Sequence, residues 1–349
     1  MKNNIYFFIL FFFIKAFSNS QTYWVIEGWQ LFKNAGDARI LSLGSAASTD
    51  FGTPVSPLFN PSLSSKIKNE NLSYTHQNRF GGSISSDLIG FTTKKRLNYI
   101  FMRESIGEIP DTRNALLDYG LDGMPNTGDI GENNGILDDG ERLDSEKVNY
   151  FNQNQIGLHI SKSFTYNNYN LGFALKFLDH RIGTQKSHGI GLDFGFLLNK
   201  WKSSKLSLVI KDITTSWQVW NNGTIERTKP SIVSGFSHSL FFKKYPIVLN
   251  GMTDFVINFN GRSLDQDFSF GKNSGYIKYG LNLIYDYKIA LRLGKNNQDS
   301  FSIGIGLSWD NISLDYAMIN EPSQTNFGTS NIVSLVLDVN WLQKIILNL

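Results

Sequence analysis

The sequence predicts an all-β fold: a transmembrane antiparallel β-barrel of about 14 strands with a small N-terminal plug segment. Three observations predict it. The chain opens on an export signal, its remainder reads as segments of roughly ten residues with a two-residue period, and no apolar run after residue 20 is long enough for a spanning helix. Backbone inside lipid is satisfied only in a helix or a closed sheet, so a mature chain of this kind that sits in a membrane must do so as a barrel.

The signal occupies residues 1–20. Lys2 precedes an apolar run from Ile5 to Ile14, and Lys15 and Ser18-Asn19-Ser20 follow before Gln21. This is the order of a secretory signal peptide. The run is too short for the roughly twenty residues of a spanning helix. The chain has no cysteine, which removes lipoprotein attachment, disulfides, thiolate metal sites and thiol nucleophiles.

The two-residue period is clearest near the C-terminus. Phe301, Ile303, Ile305, Leu307 and Trp309 alternate with Ser302, Gly304, Gly306, Ser308 and Asp310. Leu171, Phe173, Leu175 and Phe177 alternate with Gly172, Ala174 and Lys176, and Ile190, Leu192, Phe194 and Phe196 alternate with Gly189, Gly191, Asp193 and Gly195. Such a period places each set on one face of a strand. A secreted sandwich alternates too. Segment length, aromatic residues near strand ends and the export signal favour lipid outside. The predicted strands are 71–78, 82–92, 96–103, 149–163, 169–180, 186–199, 204–212, 231–242, 246–259, 274–286, 287–294, 300–310, 311–319 and 331–341. Turn signals fall between them at Asn167-Asn168, Asn221-Asn222-Gly223, Asn296-Asn297 and Asp310-Asn311.

Residues 21–70 differ in kind. A short helix is predicted over 26–34, and small residues then dominate from Ala35 to Ala47 and around Phe59-Asn60-Pro61. Small side chains let backbones approach closely, so this piece reads as a plug inside the barrel or as a periplasmic arm. The barrel occupies 71–349, with an extracellular insertion at 104–147. Residues 104–146 hold twelve acidic residues and only two basic ones, Arg113 and Arg142, in a chain whose net charge is +3. That balance suggests no nucleic-acid partner.

Catalytic signatures are missing. The five histidines do not form H-E-x-x-H, and there is no G-x-S-x-G elbow and no P-loop, so no enzyme is expected. The acidic insertion is the one local chemical signal. Asp118, Asp122, Gly123 and Asp129 fall at positions one, five, six and twelve of a calcium loop, and Glu132, Asp138, Asp139 and Glu141 follow. Hard cations take many oxygen ligands, so these residues are candidate Ca²⁺ ligands. Gly120 stands where a third-position carboxylate belongs. The other reading is a solvated, charge-extended loop without metal.

Gly36-Asp37-Ala38-Arg39, the turn at Gly44 and the Asn60-Pro61 step resemble the N-terminal signature of the PorV/PorQ family, and Ile289 to Gly294 with Leu314-Asp315-Tyr316-Ala317 is similar to its closing hairpins. The resemblance implies a fourteen-stranded outer-membrane barrel related in fold to FadL, with an N-terminal plug. It also implies a role in type IX-like secretion, with secretion-machinery proteins and secreted cargo as partners beside outer-membrane lipid. The alternative it leaves open is a FadL-like channel for hydrophobic small molecules. A channel calls for an apolar pocket continuous with the plug; a cargo receptor calls for a broad outer surface.

Overall fold

The computed structural model describes residues 29–67, 70–242, 244–259, 266–271, 273–296, 300–320 and 328–347. The predicted signal peptide and the start of the predicted arm lie outside the described residues.

Fourteen long strands follow in sequence: β1 (Asn71–Arg79), β2 (Ile84–Thr92), β3 (Leu97–Asp111), β4 (Asn149–Tyr166), β5 (Tyr169–Ile182), β6 (Gln185–Leu198), β7 (Ser204–Lys211), β8 (Ser231–Phe242), β9 (Ile247–Asn258), β10 (Asn273–Tyr285), β11 (Ile289–Lys295), β12 (Phe301–Ser308), β13 (Ile312–Asn320) and β14 (Thr329–Asp338). Each pairs antiparallel with the next. β14 pairs back on β1, with Asn71 opposite Asp338 and Asn78 opposite Asn331. The sheet is therefore a closed barrel of fourteen strands, and no edge is left to aggregate or to expose unpaired backbone.

The pleat sorts the side chains. On β5, Leu171, Phe173, Leu175 and Phe177 point outward and are exposed, while Asn170, Ala174 and Lys176 point inward and are buried. The outer wall is a belt of exposed Leu, Ile, Val, Phe and Tyr, the surface of a barrel solvated by hydrocarbon. The inner wall is largely polar or small: Ser73, Thr75, Gln77 and Arg79 on β1, and Ser330 and Ser334 on β14. One rim carries only short turns between strands, at 93–96, 167–168, 199–203, 244–246, 286–288 and 309–311 among the described residues. Exposed Tyr166, Trp201, Tyr245, Tyr285, Tyr287 and Trp309 cluster at this turn rim, where an interfacial aromatic girdle belongs. The opposite rim carries the long connections 112–148 and 212–230.

Three boundaries differ from the sequence expectation. β3 does not stop at 103 but runs to Asp111, with a bulge between Ile106 and Ile109, so the insertion is 112–148. Glu104, expected in the acidic loop, is buried inside the barrel and ion-paired with Arg79. β7 is interrupted at 212–215 and resumes as Ser216–Trp220, which turns at Asn221–Gly223 and returns as Ile225–Thr228 into β8. Finally β14 ends at Asp338, and Val339–Leu347 forms a helix rather than more strand.

Candidate functional site: a plugged lumen

Residues 29–67 lie inside the barrel, bonded to its inward-facing side chains. Two short helices, α1 (Gln30–Asn34) and α2 (Ala38–Leu41), lead into a chain of tight turns and a 3₁₀ stretch at Pro61–Lys66. Asp37 caps α2, accepting from the Ile40 N–H at 2.8 Å, and its other oxygen accepts from the Thr53 hydroxyl. Burial pushes its carboxyl up to about 6. Arg39 holds Asp50 through two bonds of 2.8 and 2.9 Å. Burial works against the Asp50 charge, but the Arg39 guanidinium outweighs it and keeps the carboxyl below its ordinary value.

The plug is hydrogen-bonded to the wall around its circumference. The Ala38 N–H donates to Ser334 Oγ on β14 at 2.7 Å, and Gln77 on β1 donates to the Gly36 carbonyl at 2.7 Å. Asn98 on β3 donates to the Pro54 carbonyl at 2.7 Å. Ser64 Oγ meets Ser163 Oγ on β4 at 2.8 Å, and Ser48 Oγ meets Ser207 Oγ on β7 at 2.7 Å. Asp254 on β9 accepts from the Ala47 and Ser48 N–H groups, both at 3.0 Å, and Ser302 on β12 accepts from the Gly44 N–H at 3.1 Å. These bonds satisfy plug backbone that would otherwise be buried unpaired.

Glycines on the inner wall make room for this contact. A Cβ on Gly294 would stand 2.0 Å from the Gly44 nitrogen, and one on Gly304 would stand 2.5 Å from Ser42 Cβ. Across the lumen, a Cβ on Gly172 would stand 2.3 Å from the Pro61 carbonyl carbon, and one on Gly195 2.1 Å from Asn60 Oδ1. The motif residues thus have physical roles. Gly44 turns with φ 61° against Lys295 backbone, a conformation glycine adopts at little cost. Asn60 caps the Pro61 turn, accepting from the Ser62 N–H at 3.0 Å and donating to the Ser48 carbonyl at 2.8 Å. Gly36 leaves space for Leu41.

One end of the plug is held differently. Trp29, Leu31 and Phe32 are buried with Leu88, Ile100, Met102 and Leu178 from β2, β3 and β5 in an apolar cluster inside the lumen. Gly157 and Gly189 leave the gaps that Leu31 and Trp29 fill. Lys176 passes beneath, its Nζ 5.5 Å from the Trp29 ring and 5.6 Å from the Phe32 ring. That ammonium is buried and paired with Asp193 at 2.8 Å and Asp212 at 2.5 Å. Asp212 sits at the interruption of β7, with φ 54°, and Thr215 has φ 63°. The interruption flips the strand's inward parity, from Ser207 and Val209 before it to Ser216 and Gln218 after it. The Asp212 N–H bonds Asp193 Oδ1 at 2.8 Å, and the Ser216 hydroxyl bonds Asp212. The ion-pair network thereby seals the place where the wall's regular ladder fails.

Two cavities stand out. A polar one of about 150 Å³ lies between plug and wall near Arg39, Asp50, Phe51, Lys205, Ser237 and Asn250. The other, about 560 Å³, is lined by outward-facing Leu281, Leu283, Leu291, Leu293, Ile303 and Ile305. It is therefore a hollow in the lipid-facing wall, not a pocket in the lumen.

The carboxylates of the acidic insertion bond its own backbone, and Asp118 Oδ1 and Asp129 Oδ1 are buried without a hydrogen-bond partner among the described residues. Asp129 accepts from the Asp122 N–H at 2.8 Å, Asp118 from the Gly135 N–H at 2.7 Å, and Glu132 from the Gly128 N–H at 2.6 Å. Glu141 accepts from the Gly120 and Asp138 N–H groups, and Asp138 accepts from the Asn134 amide. Asp122 and Asp139 are exposed. Among the described residues, no three acidic or histidine side chains close around one position suited to a metal ion. The sequence missed Lys176, Asp193 and Asp212 as a unit; the signal was two charged residues at inward positions beside the small inward residues Gly172, Ala174, Gly191 and Gly195.

No family model and no curated protein matches the chain. Solved structures do. The chain is similar to the Pseudomonas putida toluene transporter TodX at 9% identity, covering 86% of this chain and 96% of that one, with a TM-score of 0.46. It is similar to a Pseudomonas aeruginosa FadL homologue at 10% identity, covering 86% and 98%, with a TM-score of 0.44. It is similar to the KdgM porin at 7% identity, covering 76% and 98%, with a TM-score of 0.32. The strand pairing and the apolar outer belt define the class without them: a closed β-barrel of the bacterial outer-membrane type. Its lumen holds the N-terminal segment of its own chain.

Proposed function

We propose that this barrel passes hydrophobic small molecules across the outer membrane, with the turn rim facing the periplasm and the plug as the stop that a ligand displaces. One observation carries the reading. Most of the plug is fixed by hydrogen bonds to a polar wall, but Trp29, Leu31 and Phe32 are held by apolar burial and by two ring contacts to Lys176. An apolar ligand could take over that burial against Leu88, Ile100, Met102 and Leu178 without leaving wall hydrogen bonds broken. A second reading, handling of secreted proteins at the cell surface, draws on the exposed Leu121, Met124, Ile130, Ile136 and Leu137 of the 112–148 insertion, an apolar surface that a protein partner would cover.

The test is binding of a tritiated monoaromatic hydrocarbon and of a tritiated long-chain fatty acid to the purified barrel. A site occupied by its own chain binds weakly in proportion to how rarely it is vacant. The W29A/F32A variant should therefore bind at least one of the two about tenfold or more tightly than wild type. Equal weak binding by both proteins would contradict the reading.

A further inference from the structure

The outer wall is mostly apolar, and its polar side chains on other strands satisfy one another: Asp179 pairs with Arg181 and His188 on β5 and β6, and His238 bonds Ser204 on β7. On β1 and β2, nine residues each, the strands are only just long enough to cross a membrane. Yet His76 lies in the middle of β1 and Asp87 in the middle of β2, directly opposite each other, and Arg103 on β3 is directly opposite Asp87. All three point outward, beside Ser85 and Ser105, which also pair across the strands. Asp87 Oδ1 accepts from the Tyr74 hydroxyl at 2.7 Å and meets His76 Nδ1 at 2.9 Å. Asp87 Oδ2 takes no hydrogen bond among the described residues. The Arg103 side chain is exposed and makes no hydrogen bond or ion pair among them. The flanking positions in the same row, Val333 on β14 and Ile156 on β4, are apolar.

Asp87 and Arg103 attract each other across the β2–β3 pair, but with no hydrogen bond between them a carboxylate oxygen and a guanidinium at mid-strand depth remain costly against acyl chains. They are satisfied by a protein surface carrying the opposite charges at the same depth. The patch itself is such a surface, because it holds both signs side by side. A two-fold axis parallel to the membrane normal, lying in the contact plane between β2 and β3, would set Arg103 of each copy against Asp87 of the other, the self-complementary arrangement of an isologous dimer, and an Arg–carboxylate pair out of water is a strong one.

The geometry points to a homodimer in the membrane, joined through the outer wall of β1–β3 with reciprocal Arg103–Asp87 pairs. The chain has no cysteine, so single cysteines report cleanly. Wild type in mild detergent should have the mass of two chains, and S85C should form a disulfide-linked dimer in oxidised membranes while I303C, on β12 four strands round the barrel, should not. R103E should be monomeric, with S85C cross-linking in that background falling about tenfold or more. The D87R/R103D double exchange should restore the dimer. Retention of the folded, heat-modifiable band on gels checks that each variant still closes its barrel. A monomeric wild type, equal cross-linking at positions 85 and 303, a stable complex with a different protein in place of the self-pair, or failure of the double exchange with the barrel folded would overturn the assignment.

Discussion

Replacing Lys176 with methionine should destabilise the barrel by about 3–5 kcal/mol, the cost of leaving a buried charge without its partner. Asp193 and Asp212 both lie within 2.8 Å of the ammonium, and both are buried. Methionine keeps the bulk under Trp29 and Phe32 but leaves two carboxylates facing each other without compensation. The loss should appear as a lower urea midpoint in lipid vesicles and as faster amide exchange at 212–216, where β7 is interrupted. The triple variant K176M/D193N/D212N removes the charges together and should recover much of the loss, since a buried ion network replaced as a whole costs little. Equal stability of K176M and wild type would mean that the network does not seal the wall.

Replacing Gly294 with valine should unseat the plug and leave the barrel standing. Valine suits a β-strand, and the pairing of β11 with β10 and β12 does not involve the side chain. The new Cβ, however, would stand 2.0 Å from the Gly44 nitrogen and 2.2 Å from the Leu43 carbonyl carbon. Those are backbone atoms fixed by the bond to Ser302 and cannot swing aside. Overpacking of this kind costs roughly 1–3 kcal/mol where side chains can yield, and more where backbone meets backbone. In planar bilayers wild type should stay closed to ions and G294V should conduct, while protease added at the turn rim should cut within 29–67 only in the variant. Gly251 supplies the control. A Cβ there meets nothing within 4 Å, so G251V should remain closed. A closed, protease-resistant G294V would show that the plug is not seated on this glycine.

The barrel was legible because lipid outside and a packed plug inside impose opposite demands on alternate residues. Phe301 to Trp309 shows this directly: its apolar residues face outward, and Gly304, on the other face, lies against Ser42 of the plug. The small residues around Gly36, Gly44 and Asn60 likewise carried their meaning in composition, since close backbone approach needs them. What stayed hidden is whatever depends on register across distant strands. Glu104 reads as part of an acidic loop until β3 is seen to carry it to Arg79, twenty-five residues away in sequence. The interruption at 212–215 changes which parity faces inward, and a pattern read one strand at a time simply stops there. Val339-Asn340-Trp341 alternates like a strand, but once the Val339 N–H has bonded the Glu70 carbonyl at 2.8 Å the chain satisfies its own backbone as a helix. His76, Asp87 and Arg103 are ordinary residues in sequence, and only their pairing places them side by side on the outer wall.

The central claim is that residues 29–67 sit inside the closed barrel, and one measurement tests it directly. Ser64 and Ser163 face each other across the plug–wall boundary with their hydroxyl oxygens 2.8 Å apart, close enough for a disulfide between the corresponding cysteines. In a chain with no other cysteine, S64C/S163C should oxidise nearly completely in native membranes, within one chain, and the oxidised protein should protect 29–67 from protease even when G294V is added. Reduction should release that protection. A double-cysteine protein that stays reduced in folded barrels, or links only between chains, would place the N-terminal segment outside the lumen and contradict the account.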